Sequence, residues 1–410
     1  MQSSKTHHSS SGFRVHYFRD LANPGTLDLR AITLDESVPF DTHEICPACI
    51  APLSALCTFV AGSNTKRMRL GYCPQCGYQG YMDRPTRAWT MNYYVEEWDN
   101  AKLKDVKHEA AHVPRGLTRQ QRLTVHMADR PDISKKSSVC DIGCGDGLVL
   151  KEFEEVGFPN LIGVENSRFR AEMAKEKFGY PVIIGNFEGK EAAAALERYA
   201  PIGVLYTFHV MEHVYEPREI ISTASKLQKE GDIFILAMPN GMGEPKVTTL
   251  FWLPHLHAYT NVALERILNA YGYEVIDDNT EFKKHLIVMC RKVLGTPKAR
   301  YQPRTDYGAY YTAGILDYFL LNRACPGKRY CFSWTSKVYH TDIKPAFGSE
   351  GIDRIARNIE RGYWYVASRA LSRFANKRSI VISLLEKRVT SSGESPLEVQ
   401  FDGPIQMLLR

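Results

Sequence analysis

The sequence predicts an α/β protein in which a mostly parallel sheet is covered by helices on both faces, with a small cysteine-built module before it and an α+β extension after it. Three observations lead there. Apolar β-type runs alternate with helical segments from about Ser137 to Val293, the rhythm of a parallel sheet. Two C-x-x-C pairs lie upstream, in a stretch where short apolar pieces alternate with Cys, Gly and Pro. Downstream the alternation breaks into aromatic and basic clusters.

In chain order, residues 1–40 read as a polar, partly ordered leader and 41–99 as a loop-rich module. Residues 100–136 are charged and read as a helical connector. Over 137–295 the expected strands are Ser138–Ile142, Leu161–Val164, Val182–Ile184, Gly203–Phe208, Ile233–Ala237 and Leu286–Cys290. Between them the expected helices are Leu148–Val156, Arg168–Phe178, Lys190–Tyr199, Arg218–Gln228 and Val262–Tyr271. In 296–410 a helix is expected around Ile352–Phe374 and a closing strand near Pro404–Leu409.

Composition removes several classes. Across 410 residues, 44% are hydrophobic and 24% charged, which excludes a chain disordered throughout and a collagen-like one. No run approaches the ~20 apolar residues of a membrane helix, and the N-terminus lacks the apolar core of a secretory signal. A cytoplasmic protein is therefore expected, with its ten cysteines serving as core thiols or metal ligands rather than disulfides. The net charge of +6 is uneven, because residues 296–410 hold 18 Lys+Arg against 10 Asp+Glu. Tyr301, Tyr307, Tyr310, Tyr311, Tyr318, Tyr330 and Trp334 interleave with those cations. Such a surface suits a nucleotide-sugar, an anionic glycan or single-stranded nucleic acid; the alternative is an ordinary core with a solvated basic face.

The most informative segment is Val139-Cys-Asp-Ile-Gly-Cys-Gly-Asp-Gly147, between a strand and a helix. Gly143, Gly145 and Gly147 allow a sharp turn and close approach of a ligand. A dinucleotide fingerprint would place its third glycine at 148, which is Leu148. Asp141 sits poorly beside a pyrophosphate and well beside the ammonium of an amino-acid-bearing cofactor. Glu165, 20 residues past Gly145, ends the next strand, where a carboxylate accepts ribose hydroxyls.

Four ordered motifs, DIGCGDG, GVEN (Gly163–Asn166), GNFEG (Gly185–Gly189) and FHVMEHVYEP (Phe208–Pro217), resemble the class I S-adenosylmethionine-dependent methyltransferases, with their Rossmann-like sheet. The resemblance covers about 160 residues. It implies that Gly143 and Gly145 line the methionine part of the cofactor and Glu165 holds its ribose. Asn186 and Phe187 would border the adenine, and Phe208 with His209 would close over the cofactor. The family often has Asp where this chain has Asn186.

Cys46-Pro-Ala-Cys49 and Cys73-Pro-Gln-Cys76 bring four thiolates to one tetrahedral ion, the closed arrangement of a structural zinc. Two redox or buried cysteine pairs are the alternative. Cys57, Cys140, Cys144, Cys290, Cys325 and Cys331 read as core or surface thiols. The order of a zinc-ribbon-like module, a Tyr93-Tyr94 segment and the methyltransferase motifs resembles sugar C-methyltransferases and related enzymes that act on small metabolites. That resemblance implies a small-molecule acceptor, a sugar or glycan, with no membrane span. An RNA or protein methyltransferase docking through the zinc module and basic tail is the alternative, and a non-catalytic protein keeping the fold is another.

Methyl transfer needs alignment of donor and nucleophile, and a base where a hydroxyl or activated carbon accepts. The candidates are His209 and His213, with Glu212, after the fourth strand, and His255 and His257 after the fifth. One of the latter two would act as base and the other would brace the loop. An imidazole titrates near 6.5 and suits a base at neutral pH. His209–His213 also spells H-x-x-E-H, but a zinc peptidase carries that motif on a long helix. In some related quinone O-methyltransferases carboxylates and a His in this loop hold a divalent ion; here His209 replaces the first carboxylate. The absence of N/D-P-P-Y/F and of a Pro-Cys nucleophile after the fourth strand leaves hydroxyl and carbon acceptors ahead of amines.

Overall fold

A computed structural model describes residues 13–16, 38–60, 67–92, 116–242, 255–279, 285–305, 307–308, 311 and 396–400, the first and last of these as backbone strands alone. The N-terminal part forms β1 (Phe13–His16), β2 (Phe40–Thr42), β3 (Ser54–Val60), β4 (Arg67–Tyr72), β5 (Gln79–Tyr81) and β6 (Asp83–Pro85). The larger part follows as α1 (Arg119–His126), β7 (Ser138–Ile142), α2 (Leu148–Glu155), β8 (Asn160–Glu165), α3 (Arg168–Phe178), β9 (Val182–Ile184), α4 (Lys190–Glu197) and β10 (Val204–Phe208). It continues with α5 (Pro217–Leu227), β11 (Ile233–Pro239), β12 (His257–Ala258), α6 (Asn261–Asn269), β13 (Tyr273–Asp278) and β14 (His285–Lys292), and β15 (Pro396–Gln400) comes last.

Seven strands make the central sheet in the order β13-β14-β11-β10-β7-β8-β9. The five from β11 to β9 are parallel, while β14 and β13 run antiparallel at one edge. This is the expected Rossmann-like α/β sheet, with every strand expected over 137–295 present. Period-two alternation sends side chains to both faces. Val139, Val204, Tyr206, Ile233 and Ile235 enter one core with α1, α2 and α3. Cys140, Ile142, Leu205, Phe234, Leu236 and Met238 enter the other with α4, α5 and α6. The helices start where their sequences allow. Thr118 and Gln121 close a reciprocal capping box, Ser167 and Thr260 cap α3 and α6, and Pro217 opens α5.

The strand Tyr273–Asp278 was not expected. It begins directly after Gly272, whose φ of 77° reverses the chain at the end of α6, and only Tyr273 and Val275 face the core. Too few buried positions alternate there to announce a strand. The sheet of the cysteine module also reaches beyond residues 41–99. This second sheet runs β1-β15-β3-β4-β5-β12, so it takes one strand from the leader, one from the tail and one from the segment after β11. The expected helix at 352–374 and the strand at 404–409 lie outside the described residues, as do Tyr93, Tyr94, Cys325 and Cys331.

The cysteine module packs on the central sheet. Cys46, Cys73 and Cys76 are fully buried in the same core as α5 and α6. Arg84, almost wholly buried, donates to the Tyr215 carbonyl at 3.0 Å and lies over the Tyr215 ring. Arg218 of α5 donates to the Pro47 carbonyl at 3.1 Å, and Arg87 pairs with Glu219.

Close approach of a side chain sets one residue of β8. A Cβ on Gly163 would overlap the Cys144 sulfur and stand 3.1 Å from Cys144 Cβ. Gly163→Ala is therefore expected to destabilise the fold by about 1–3 kcal/mol, and Cys144→Ala in the same chain to restore part of that loss. Chemical denaturation of the three variants measures both.

Candidate functional site

From β7 the chain steps to β8 and β9 on one side and to β10 and β11 on the other, so the order reverses between β7 and β10. In open α/β sheets ligands bind in the crevice outside the carboxyl ends of the strands at such a point. Two loops meet here. The glycine turn follows β7, and His209 to Glu216 follow β10. A Cβ on Gly143 would come 2.6 Å from Val210 Cγ2, so the second loop lies directly against the first.

The glycine turn is held from β8. The Gly143 and Cys144 amides donate to the Val164 carbonyl at 2.8 and 3.1 Å. Glu165 accepts from the Gly145 amide at 2.8 Å through one oxygen and from the Ser167 amide at 2.9 Å through the other. Gly143, Gly145 and Gly147 have φ of 79°, 55° and 83°, the left-handed region that excludes most side chains. Asp141 is buried behind the turn; burial, and then the charge of Glu165, push its carboxyl well above the usual carboxylate range, against the opposing charge of Arg170. The guanidinium of Arg170 lies where a Cβ on Gly145 would point. A glycine cradle with a carboxylate on its rim is what an amino-acid-bearing nucleoside needs.

On the far side, Asn186 is half-buried and Phe187 is a core side chain. The Phe187 ring packs into the sheet–helix core and Asn186 lies half-buried beside it. The Asn186 amide is engaged locally. Its Oδ1 accepts from the Glu188 amide at 2.9 Å, and its Nδ2 donates to Glu188 Oε2 at 3.4 Å. Glu188 in turn accepts from the amides of Tyr215 and Glu216 at 3.0 and 2.6 Å. An aspartate at 186 would face that carboxylate with like charge, which gives the physical reason for Asn at this position.

After β10 the chain turns at His209, a non-glycine residue at φ 56°. His is among the few side chains enriched there. Its Nδ1 donates to Glu212 Oε1 at 2.9 Å, because an ionised carboxylate only accepts. In the neutral ring that bond leaves the lone pair on Nε2. Phe208 packs on the His209 ring at 4.6 Å, and His285 from the start of β14 meets it edge-on at 5.2 Å. Glu212 is 2% exposed. Burial favours its neutral form, but the charge of His213 and the hydrogen bond and charge of His209 outweigh burial and hold it at about 2. His213 lies 4.6 Å, ring to ring, from His255. One ligand atom from each of Glu212, His213 and His255 falls within 4.8 Å of the others. Residues 211–213 form a turn, not a helix, so the H-x-x-E-H string has no peptidase geometry.

His257 is corrected from candidate base to brace. Its Nε2 donates to the Val214 carbonyl at 2.8 Å, and its Nδ1 accepts from the Tyr78 hydroxyl. Both nitrogens are used, and burial, then the charge of Arg84, depress its pKa well below the usual imidazole value. His255 is the member of the pair that joins the cluster.

The four knuckle cysteines converge. Cys46 and Cys76 sulfurs are 3.6 Å apart, Cys49 and Cys73 3.4 Å, and all four fall within 4.8 Å. Sulfurs on a tetrahedral zinc at about 2.3 Å stand roughly 3.8 Å apart, so the set fits that ion. Ile50 and Gly77 follow the second cysteine of each pair with φ of 64° and 74°, and the Ile50 and Gly77 amides close the knuckles onto the Cys46 and Cys73 carbonyls.

The sequence reading missed Glu188, Arg170, Tyr78 and His285. Glu188 lay inside a quoted motif, and its position two residues after Asn186 was a usable signal. Nothing local marked His285, which reaches the cluster only through the pairing of β14 with β11.

Residues 110–278 match the family model described as a methyltransferase domain. A ubiquinone biosynthesis O-methyltransferase of Caulobacter vibrioides is 31% identical over 106 residues, 25% of this chain and 41% of that protein. Its counterpart from Caulobacter sp. is 31% identical over 101 residues, 24% of this chain and 40% of that protein. The matched stretch thus spans about two fifths of these relatives. Among solved structures, magnesium protoporphyrin IX methyltransferase from Synechocystis with bound SAH is 14% identical and covers 51% of this chain and 100% of its own, at a TM-score of 0.37.

Asn186→Asp places a second carboxylate beside Glu188 and removes a donor. The expected cost is about 1–3 kcal/mol at pH 7. The new Asp has a folded pKa above its unfolded value, so the deficit is full at neutral pH and shrinks as pH falls through that folded pKa. Denaturation curves of variant and parent at pH 7 and pH 5 test the sign.

Proposed function

We propose that this chain, which carries an S-adenosylmethionine-dependent methyltransferase domain, transfers a methyl group to a hydroxyl or activated carbon of a small molecule, a sugar or comparable metabolite. The observation that supports this reading best is the His209–Glu212 dyad beside the glycine cradle. It is a buried ionised carboxylate fixing one imidazole tautomer at the switch point. The O-methyltransferase relatives from Caulobacter favour an oxygen acceptor.

S-adenosylmethionine, when bound, supplies an electrophilic methyl on a sulfonium. Gly143 and Gly145 would line its amino-acid part with Asp141 behind them. Glu165 would hold the ribose, since each of its oxygens keeps a lone pair beyond the one given to a backbone amide. Asn186 would meet the adenine edge, and Phe208 would close the pocket. His209 Nε2 takes the proton of the acceptor, and Glu212 stabilises the imidazolium that results, the division of labour of a carboxylate–histidine pair. The four knuckle cysteines would hold one zinc that folds the module and keeps no open position for chemistry.

A divalent ion on Glu212, His213 and His255 is the second reading. It is favoured by the clustering of their ligand atoms and by Glu212 Oε2, buried with no hydrogen-bond partner among the described residues. It would act as a Lewis acid on the acceptor oxygen.

Incubation with candidate acceptors, sugars and nucleotide-sugars first and RNA as the rival, followed by mass spectrometry, should reveal a gain of one methyl on a small molecule; methylated RNA alone overturns the proposal. His209→Ala is expected to lower kcat by about 10²–10⁴ while cofactor affinity by calorimetry stays within about threefold. Dialysis against EDTA and restoration by magnesium, but not by buffer, would select the second reading.

A further inference from the structure

We infer that the second cysteine knuckle is the template that sets the loop carrying His255 and the backbone of Glu212, so that the metal state of the module controls the acceptor half of the site and leaves the glycine cradle intact. The inference rests on the zinc and methyl-transfer readings above and adds a physical link between them.

The link is continuous. The chain reverses at Gly77, and the Tyr78 carbonyl returns to the Cys73 amide at 2.8 Å. The fully buried Tyr78 then gives its hydroxyl proton to His257 Nδ1. The Cys76 carbonyl accepts from Thr260 Oγ1 at 2.6 Å. That same oxygen caps α6 by accepting from the Ala263 amide at 2.9 Å. Between these two fixings β12 pairs with β5, His257 opposite Gly80, and adds residues 257–258 to the module's own sheet.

The loop is also tied to the chemistry. The amides of Leu256 and His257 both donate to the Glu212 carbonyl, at 2.8 and 3.2 Å, and His257 Nε2 donates to the Val214 carbonyl. His255, next in the chain, packs on His213. A shift of the knuckle therefore moves residues 256–260, and with them the turn that presents Glu212 to His209. The glycine cradle is held instead from Val164 and Glu165, with no hydrogen bond to the module among the described residues. Tyr78 and Thr260 are in this sense positioning residues. They touch the loop, not a substrate.

The test compares hydrogen exchange, zinc content, cofactor affinity and turnover in the full-length protein, its chelated form, and Tyr78→Phe, Thr260→Val and Thr260→Ser. Chelation, Tyr78→Phe and Thr260→Val should each speed exchange over 209–214 and 255–260 by about tenfold or more. Exchange over 139–147 should stay unchanged and S-adenosylmethionine affinity within about threefold. Turnover should fall about tenfold or more through kcat, as misplacement of a catalytic group does. Thr260→Ser should restore it, and Tyr78→Phe keeps the α6 cap, so loss there is not a capping effect. Exchange rising equally over 139–147 overturns the inference, as does unchanged exchange over 255–260 once zinc is removed. Zinc absent from the purified protein refutes the zinc assignment alone, and the two variants then still decide the link. No methylated product with the exchange pattern as expected refutes the acceptor reading alone.

Discussion

The acceptor side of the site depends on one buried carboxylate. Glu212 is out of water, which by itself would neutralise it, yet the histidines around it keep it charged. Its side chain fixes the tautomer of His209, and its backbone carbonyl anchors the loop after β11 through two amides. Replacing its side chain would leave His209 free to turn, while the backbone carbonyl would still anchor the loop. The left-handed backbone at His209 belongs to the same constraint. The turn must bring Nδ1 back onto a residue three positions later, and an extended backbone would carry it away.

The cofactor side rests on different physics. Its geometry is almost all backbone: glycines with positive φ, amides spent on the Val164 carbonyl, and a carboxylate at the end of β8 that gathers two amides. Such a turn needs no side chain to be right except Glu165. That is why a short string of glycines and one acid twenty residues on were enough to mark it.

The same contrast explains what the sequence made legible. The parallel core strands announce themselves because both faces are buried, and the glycine turn because only glycine fits it. His257 looked like a base, and the packing of Phe187 was not legible, because their partners lie far off in the chain. Phe187 turns into the sheet core, and His257 is claimed by Tyr78, 179 residues away. Asn186 read as a departure from a family pattern, and only the neighbouring Glu188 shows it to be a charge-avoiding choice. The strand that the histidine loop adds to the module's sheet is not legible for a similar reason. A two-residue strand at His257–Ala258 has no periodicity of its own and exists only by pairing with β5.

That small strand decides how the two halves relate. A module attached by a linker could be removed without touching the chemistry; one whose sheet is completed by the histidine loop cannot. Knuckle, Tyr78, Thr260 and β12 form one hydrogen-bonded unit with the turn that carries Glu212. The histidine loop is thus shared between the cysteine module and the sheet, while the cradle is built by the sheet alone. Changes in the module therefore act on how the acceptor is held, and changes in β7 and β8 on the cradle. The structure separates the glycine cradle from the histidine loop along that line.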